Sequence, residues 1–170
     1  MALLTSRRQK KIDSYVDQVL LQTNKSYPED SLLDIVESLD IEVKVSDFGD
    51  HENEISGVIR YGNGNEKPTI YLNENTPPER QTFTLAHELG HYMLHDHKKG
   101  KLRIDKFNYR ANTKEAREET EANYFAASML MPREKFSTVL KQARSFEDVA
   151  KYFGVSNAAV INRLRWLKAN

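Results

Sequence analysis

Cysteine is absent from this chain of 170 residues. Its absence excludes disulfide bonds, cysteine zinc ligands and thiol catalysis, so any transition-metal site must use His, Asp or Glu. Long hydrophobic runs are missing too, since no segment approaches the roughly 18 apolar residues that cross a bilayer. The basic residues near the N-terminus follow the apolar ones, which is the reverse of the order in a secretory signal. We therefore expect a cytoplasmic protein that does not contact a membrane.

An excess of charge of one sign is also lacking. Lys plus Arg and Asp plus Glu each number 25, which gives a formal net charge of zero. A dedicated nucleic-acid-binding protein usually has a basic surplus, so the balance argues against that class but allows a local basic patch. The length suits one compact domain with a small appendage.

The order of the predicted elements indicates an α+β fold with a small antiparallel or mixed sheet of three strands. Apolar residues at helical spacing and alternating segments predict helices over 6–21, 28–39, 76–94 and 114–131 and strands over 41–45, 54–61 and 68–73. Thr76 is expected to cap the third helix, with Pro77 in its first position. The turn residues at 62–65 predict an antiparallel hairpin, and the polar segment 95–113 predicts a loop or lid.

The motif that carries most chemistry is His-Glu-Leu-Gly-His at 87–91, in the third predicted helix. His87 and His91 lie on one helix face about one turn apart, where both imidazoles can reach one ion at roughly 2.0–2.1 Å. Glu88 lies about 100° round the helix from His87. It is therefore beside the ion, and can accept a proton from a water molecule there as general base. This division of roles suits zinc-dependent peptide hydrolysis.

An inert pair of histidines on an exposed helix face is the structural alternative. An apolar arc that includes Leu85 and Leu89 favours a helix packed in the core, with His87 and His91 at the rim of a cleft. Gly90 costs about 1 kcal/mol against Ala inside a helix, but its missing side chain lets another element approach the metal closely. The surroundings therefore favour a functional metal helix.

A third metal ligand is needed, because a catalytic zinc ion usually has three protein ligands. In the helix predicted at 114–131, Glu118 and Glu119 both extend the buried stripe, while Glu121 points towards the flank. Spacing alone does not decide between Glu118 and Glu119. The alternative is that all three glutamates are solvated charges, which the helix dipole favours near an N-terminus.

Three segments together resemble the ImmA/IrrE family of metallopeptidases. They are TLAHELGHYMLH at 84–95, ETEANYFAASMLMP at 119–132 and IYLNEN at 70–75. The resemblance implies a zincin-like pair of helices and a Zn²⁺-dependent endopeptidase of the gluzincin type, with Glu as the third ligand. In the family this Glu stands three residues before the first Ala of an Ala-x-x-Phe-Ala stretch. Glu119 holds that position here and inherits the role.

The resemblance also implies a substrate. Family members often lie beside a helix-turn-helix repressor of a mobile element or stress response, and they relieve repression by cleaving it. A helix-turn-helix transcriptional repressor is therefore the expected protein partner.

Several further residues are candidates for supporting roles. His95 lies one more turn along the face of the two motif histidines. It can hydrogen-bond substrate or stabilise an oxyanion, which makes it the second catalytic candidate beside Glu88, or it can cap the helix C-terminus. Asn123 can orient a metal ligand. The strand at 69–73 can offer a sheet edge to extended substrate, or simply face solvent.

The segment at 146–160 has a helix-turn-helix pattern, with Gly154 at the turn and Ser156 able to cap the second helix. Arg163 and Arg165 then add basic charge, so direct DNA contact is one interpretation. Most residues of the pattern occupy packing positions, however. Packing against the rest of the protein, or gripping the partner repressor, is therefore the interpretation that we favour.

Two regions and two classes of function follow. We expect a zincin-like metallopeptidase domain over 1–135 and a helix-turn-helix-like segment over 136–170 packed on it. The favoured function is cleavage of a repressor. The alternative is a non-catalytic regulatory protein that binds DNA or an antitoxin, with a structural or vestigial zinc site.

Overall fold

The computed structural model describes residues 4–51, 55–95, 102–106 and 113–168, without the side chains of Asp105 and Lys106. Its helices are α1 (Ser6–Thr23), α2 (Leu32–Glu37), α3 (Pro78–Leu94), α4 (Lys114–Leu130), α5 (Arg133–Gln142), α6 (Phe146–Phe153) and α7 (Asn157–Lys168). Its strands are β1 (Glu42–Ser46), β2 (Ile55–Arg60), β3 (Thr69–Asn73) and β4 (Leu102–Lys106). The predicted α+β class is confirmed. Within the described ranges, no helix is long and apolar enough to cross a membrane.

The described strands form one mixed sheet in the order β1, β3, β2, β4. β1 runs parallel to β3, while β2 runs antiparallel to both β3 and β4. Gly57 pairs with Leu72 and Arg60 with Thr69, which confirms the predicted hairpin.

The fourth strand corrects the predicted count of three. β4 lies inside the segment predicted as a loop or lid, and its Ile104 pairs with Val58 at the edge of the sheet. Leu102 and Ile104 are 58% and 41% exposed. Because neither is buried, the strand lacks the contrast between a buried and a solvated face that reveals strands in sequence. The flanking parts of the predicted loop, 96–101 and 107–112, lie outside the described residues.

β3 is a central strand, so the prediction that Thr69–Asn73 offers a sheet edge is wrong. It pairs with β1 on one side and β2 on the other. Both Thr69 and Ile70 are fully buried, because a central strand covered by helices contacts neighbours on every side. The edges formed by the described residues are β1 and β4.

Two helices begin later than predicted. α2 begins at Leu32 because the Ser31 hydroxyl accepts a hydrogen bond from the Asp34 amide at 3.1 Å, which caps the first turn. Thr76 does not cap α3. Its hydroxyl instead donates to the Asn73 carbonyl at 2.9 Å, and the backbone of Pro77 occupies the cap position.

Small residues on two sides of α3 hold it between the sheet and α4. A Cβ atom added at Gly57 in β2 would lie 2.5 Å from Thr84 Cγ2 in α3. A Cβ added at Gly90 would lie 3.2 Å from both Cα and O of Ala122 in α4. Since ordinary contacts begin at about 3.4 Å, a Cβ at Gly57 would overlap Thr84, and a Cβ at Gly90 would require α4 to shift by a few tenths of an ångström. The close approach predicted for Gly90 is thus confirmed.

The last two helices, α6 and α7, lie in the segment where a helix-turn-helix pattern was predicted. Ser145 and Asp148 form a capping box at the start of α6, and Gly154 ends it with φ of +62°. Such a left-handed conformation favours glycine. The Ser156 hydroxyl accepts from the Ala159 amide at 3.2 Å, which confirms the predicted cap of α7.

Arg163 joins this segment to the rest of the protein and is 2% exposed. Its Nε donates to the Met131 carbonyl at 3.0 Å and its Nη1 to Ser128 Oγ at 2.9 Å. Ser128 Oγ in turn donates to Asp13 in α1 at 2.9 Å. The interpretation in which Arg163 contacts DNA is therefore wrong, because the guanidinium is buried against α4. Arg165 is exposed.

Candidate metal centre

α3 and α4 bring two imidazoles and one carboxylate to a common point. The two Nε2 atoms of His87 and His91 lie 3.0 Å apart. Glu119 Oε2 lies 3.2 Å from His87 Nε2, and Glu119 Oε1 lies 3.1 Å from His91 Nε2. Ligands bound to one zinc ion at tetrahedral angles are about 3.3 Å apart, given bond lengths near 2.0–2.1 Å. The three residues can therefore hold a single metal ion.

The structure brings Glu119, and not Glu118, to the histidines. Glu118 faces away, where its Oε2 accepts from Arg103 Nη1 at 2.8 Å and its Oε1 lies 3.5 Å from Lys114 Nζ. Burial raises the pKa of Glu118, but the hydrogen bond from Arg103 and nearby positive charges outweigh this effect and lower the pKa below its ordinary value. The choice that spacing left open thus follows from which face of α4 meets α3.

Each candidate histidine ligand is held through its other ring nitrogen. Asn123 Oδ1 lies 2.9 Å from His87 Nδ1, so the contact expected of Asn123 is present. His91 Nδ1 lies 3.0 Å from Nδ1 of His95. Partners of this kind fix ring orientation and leave Nε2 to face the metal.

His95 lies on the Nδ1 side of His91, and its Nε2 lies 3.0 Å from Glu121 Oε2. Burial lowers the pKa of His95, and the hydrogen bond with Glu121 opposes this effect only in part. The pKa of Glu121 is lowered as well: burial raises it, but hydrogen bonds from Arg8 and His95 outweigh that effect. The side chain of His95 thus contacts other protein groups in this structure.

Glu88 is fully buried beneath β2. A Cβ atom at Gly57 would lie 2.9 Å from its Oε1. The sequence reasoning missed Gly57. Its signal was a glycine within a strand, which often marks a close approach of another group.

Arg103 is a second residue that the sequence reasoning missed. From β4, its Nη2 donates to Glu119 Oε1 at 2.8 Å while its Nη1 bonds to Glu118. Burial lowers the pKa of Arg103, but hydrogen bonds with the two glutamates outweigh this and raise it above its ordinary value. Glu119 therefore has a permanently charged partner. The signal was weak, because Arg103 is one charged residue within a segment predicted as a loop.

A mixed sheet, a helix with His-Glu-x-x-His and a second helix that presents a facing Glu are together the features of a metallopeptidase. A sequence model of the IrrE N-terminal-like domain, which defines peptidase family M78, matches residues 36–165. The chain belongs to this ImmA/IrrE family of metallopeptidases.

Two individual relatives are similar to this chain, and one of them is named a metallopeptidase. The chain is 26% identical over 135 residues to Metallopeptidase ImmA of Bacillus subtilis (strain 168). This match covers 77% of this chain and 73% of that protein. It is 31% identical over 112 residues to Uncharacterized immunity region protein 2 of Bacillus phage phi105, and the match covers 61% of each.

Among solved structures, a Mycobacterium tuberculosis transcriptional regulator is similar in fold, with a TM-score of 0.58 and 18% identity. The similarity covers 91% of this chain but 46% of that chain. At this level of identity it supports the fold alone.

Proposed function

We propose that this protein is a zinc-dependent endopeptidase that cleaves a helix-turn-helix repressor and so relieves repression of a mobile element or stress response. The observation that carries the proposal is the meeting of His87, His91 and Glu119, with all three polar atom pairs within 3.0–3.2 Å. Two imidazole nitrogens and one carboxylate are a ligand set that catalytic zinc sites use.

The proposed metal is Zn²⁺, held by Nε2 of both histidines and by the Glu119 carboxylate. Zinc in such a site supplies a Lewis acid and makes water nucleophilic near neutral pH. Arg103 neutralises part of the charge on Glu119 and fixes the direction of its carboxylate.

Glu88 is the proposed general base. Its position next to His87 in the sequence places it on the adjoining face of α3, and its full burial keeps bulk water from the carboxylate. Gly57 provides the space that this carboxylate occupies.

The proposed substrate is a protein. Support comes from the names of two relatives, Metallopeptidase ImmA and an immunity region protein of a phage. The family resemblance implies a helix-turn-helix repressor of a mobile element as the substrate, and a phage relative is consistent with it. A repressor acts on DNA, so the proposed reaction takes place in the cytoplasm.

Non-catalytic regulation through DNA has less support. It rested on Arg163 and Arg165 of α7, of which Arg163 is buried and Arg165 is exposed. Within the segment 146–160, Val149, Phe153 and Val160 are fully buried, so these apolar positions serve packing. The segment therefore resembles a helix-turn-helix chiefly through its packing.

Substitution of the general base tests the proposal. The protein is co-expressed with the product of the neighbouring gene as the candidate substrate, and cleavage is followed on a gel. We expect Glu88→Gln to bind one equivalent of zinc but to cleave about 10²–10⁴-fold more slowly, the usual contribution of a general base. Glu79→Gln is the matched control, since Glu79 is an exposed residue in the first turn of the same helix. Full activity of Glu88→Gln would refute the mechanism.

A further inference from the structure

A chain of polar contacts connects His91 to the N-terminal helix. His91 Nδ1 lies 3.0 Å from His95 Nδ1, and His95 Nε2 lies 3.0 Å from Glu121 Oε2. Arg8 in α1 then donates from Nε to Glu121 Oε1 at 2.7 Å and from Nη2 to Oε2 at 2.5 Å. Four side chains are thus connected one after another in space, and the one at the end of the series, His91, is a candidate metal ligand.

The chemistry of these groups fixes the position of every proton in this series of contacts. Arg8 only donates, so Glu121 is an ionised acceptor. Glu121 must then accept from His95 Nε2–H, which leaves Nδ1 of a neutral His95 as an acceptor. His91 consequently carries its proton on Nδ1 and donates it to His95. The lone pair of His91 is left on Nε2, the atom that faces Glu119.

We propose that Arg8, Glu121 and His95 act as a relay that holds His91 in the tautomer able to bind metal through Nε2. Arg8 and Glu121 are then positioning residues for the metal centre, and His95 has this role in place of direct contact with substrate. The inference rests on the proposed function, because it takes His91 as a metal ligand. Arg8 lies outside the residues matched by the family model, 36–165, so the relay draws on a helix that precedes the matched domain.

The other histidine provides an internal contrast. The Nδ1 atom of His87 lies against an amide oxygen, Oδ1 of Asn123. An amide oxygen accepts a hydrogen bond whatever its neighbours do, whereas an imidazole accepts on Nδ1 only in one tautomer. At His91, therefore, Glu121 and Arg8 are needed to keep His95 in the tautomer whose Nδ1 accepts a hydrogen bond. At His87 no such help is needed, because the acceptor is an amide oxygen.

Metal affinity tests the relay. Zinc dissociation constants are measured by competition with a chelator for the full chain. Glu121→Gln is expected to bind zinc about tenfold to a hundredfold more weakly, as is usual for partners of metal ligands, and Arg8→Met about tenfold more weakly. Arg8→Lys keeps the charge but cannot form both bonds, so its affinity is expected between those of Arg8→Met and the wild type. Wild-type affinity in both Arg8→Met and Glu121→Gln would overturn the relay.

Matched controls separate the relay from a general loss of stability. Arg7→Met removes an exposed arginine next to Arg8, and Glu115→Gln removes an exposed charge from α4. Both are expected to bind zinc as the wild type does. Because Arg8 acts through Glu121, Arg8→Met should have no added effect in the Glu121→Gln background. Fully additive losses would mean that the two residues act separately and would overturn the proposal.

The tautomers can be observed directly by ¹⁵N NMR of the imidazole rings in the zinc-loaded protein. We expect opposite tautomers in the two neighbours, Nδ1–H in His91 and Nε2–H in His95. Nδ1–H in His95 would overturn the relay. Failure of the wild-type protein to bind zinc would instead refute the proposed function, so the two ideas fail by different results.

Discussion

Gly57→Ala is expected to damage both the packing and the chemistry of this protein, through two different contacts. The added Cβ would lie 2.5 Å from Thr84 Cγ2 and 2.9 Å from Glu88 Oε1. Both side chains belong to α3 and are buried. Any relief therefore has to come from a movement of β2, of α3 or of the Glu88 side chain.

The two contacts have different consequences. The contact with Thr84 lies in a packed interior, where an extra methyl group costs about 1–3 kcal/mol of the free energy of unfolding. The contact with Glu88 can be relieved if its carboxylate moves from 2.9 Å to an ordinary distance of 3.4 Å or more, a shift of about half an ångström. Misplacement of a reacting group by about 1 Å can cost 10²-fold in rate. We therefore expect cleavage to slow by about tenfold.

A second substitution separates these effects. Thr84→Ser removes Cγ2 and with it the shorter contact, so Gly57→Ala/Thr84→Ser should regain most of the lost stability. The contact with Glu88 remains, so cleavage should stay slow. Gly64→Ala is the control for glycine replacement far from the site, because its Cβ would meet no atom within 4 Å. It should cost about 1–2 kcal/mol through its left-handed backbone alone and leave the cleavage rate unchanged.

Urea denaturation measures the free energy of unfolding, and cleavage of the co-expressed candidate substrate, quantified over time, measures the rate. If Gly57→Ala keeps the wild-type rate while its stability falls, the Glu88 carboxylate does not depend on this space and the reasoning fails. If the Thr84→Ser background restores both stability and rate, the loss of activity came from strain in α3 alone.

Two further substitutions test the surroundings of the site. Arg163→Met should lower the free energy of unfolding by about 2–3 kcal/mol, because it removes a buried charged group together with its hydrogen bonds. Substitution of the exposed Arg165 by Met should leave this free energy unchanged. Equal free energies of unfolding for the two variants in urea denaturation would contradict the role of Arg163. Arg103→Met should weaken zinc binding by about tenfold to a hundredfold, because Glu119 loses its partner. Arg60→Met, which removes a more exposed ion pair from the same sheet, should leave the zinc dissociation constant unchanged, and an unchanged constant in Arg103→Met would count against its role.

The sequence predicted the parts of the site that depend on local spacing. His87 and His91 are four positions apart, and any regular helix brings such residues to one face. The third candidate ligand, Glu119, was harder to predict, because Glu118 is equally consistent with the buried stripe of α4. Only the family resemblance favoured Glu119 before the structure showed which face of α4 meets α3.

Contacts between distant segments could not be predicted in this way. Arg8 and Glu121 are 113 positions apart, and neither has a local pattern that names the other. Arg103 was missed because a short exposed edge strand depends on its partner β2 more than on its own residues. The same dependence explains why β3 was expected at an edge: which strands flank a given strand is a property of the whole sheet.

The metal centre and the stability of this fold are coupled through α3. On one side Gly57 lets the sheet approach Thr84 and Glu88, and on another Gly90 lets α4 approach closely enough for Glu119 to meet the histidines. A bulkier residue at either glycine therefore acts on the metal site and on packing at once. The relay to Arg8 adds a third constraint from α1. Since burial of the two histidines is unfavourable unless their polar atoms have partners, neighbouring groups such as Asn123 in α4 supply these contacts. The position of α3 is thus set by what its polar residues require as much as by its apolar face.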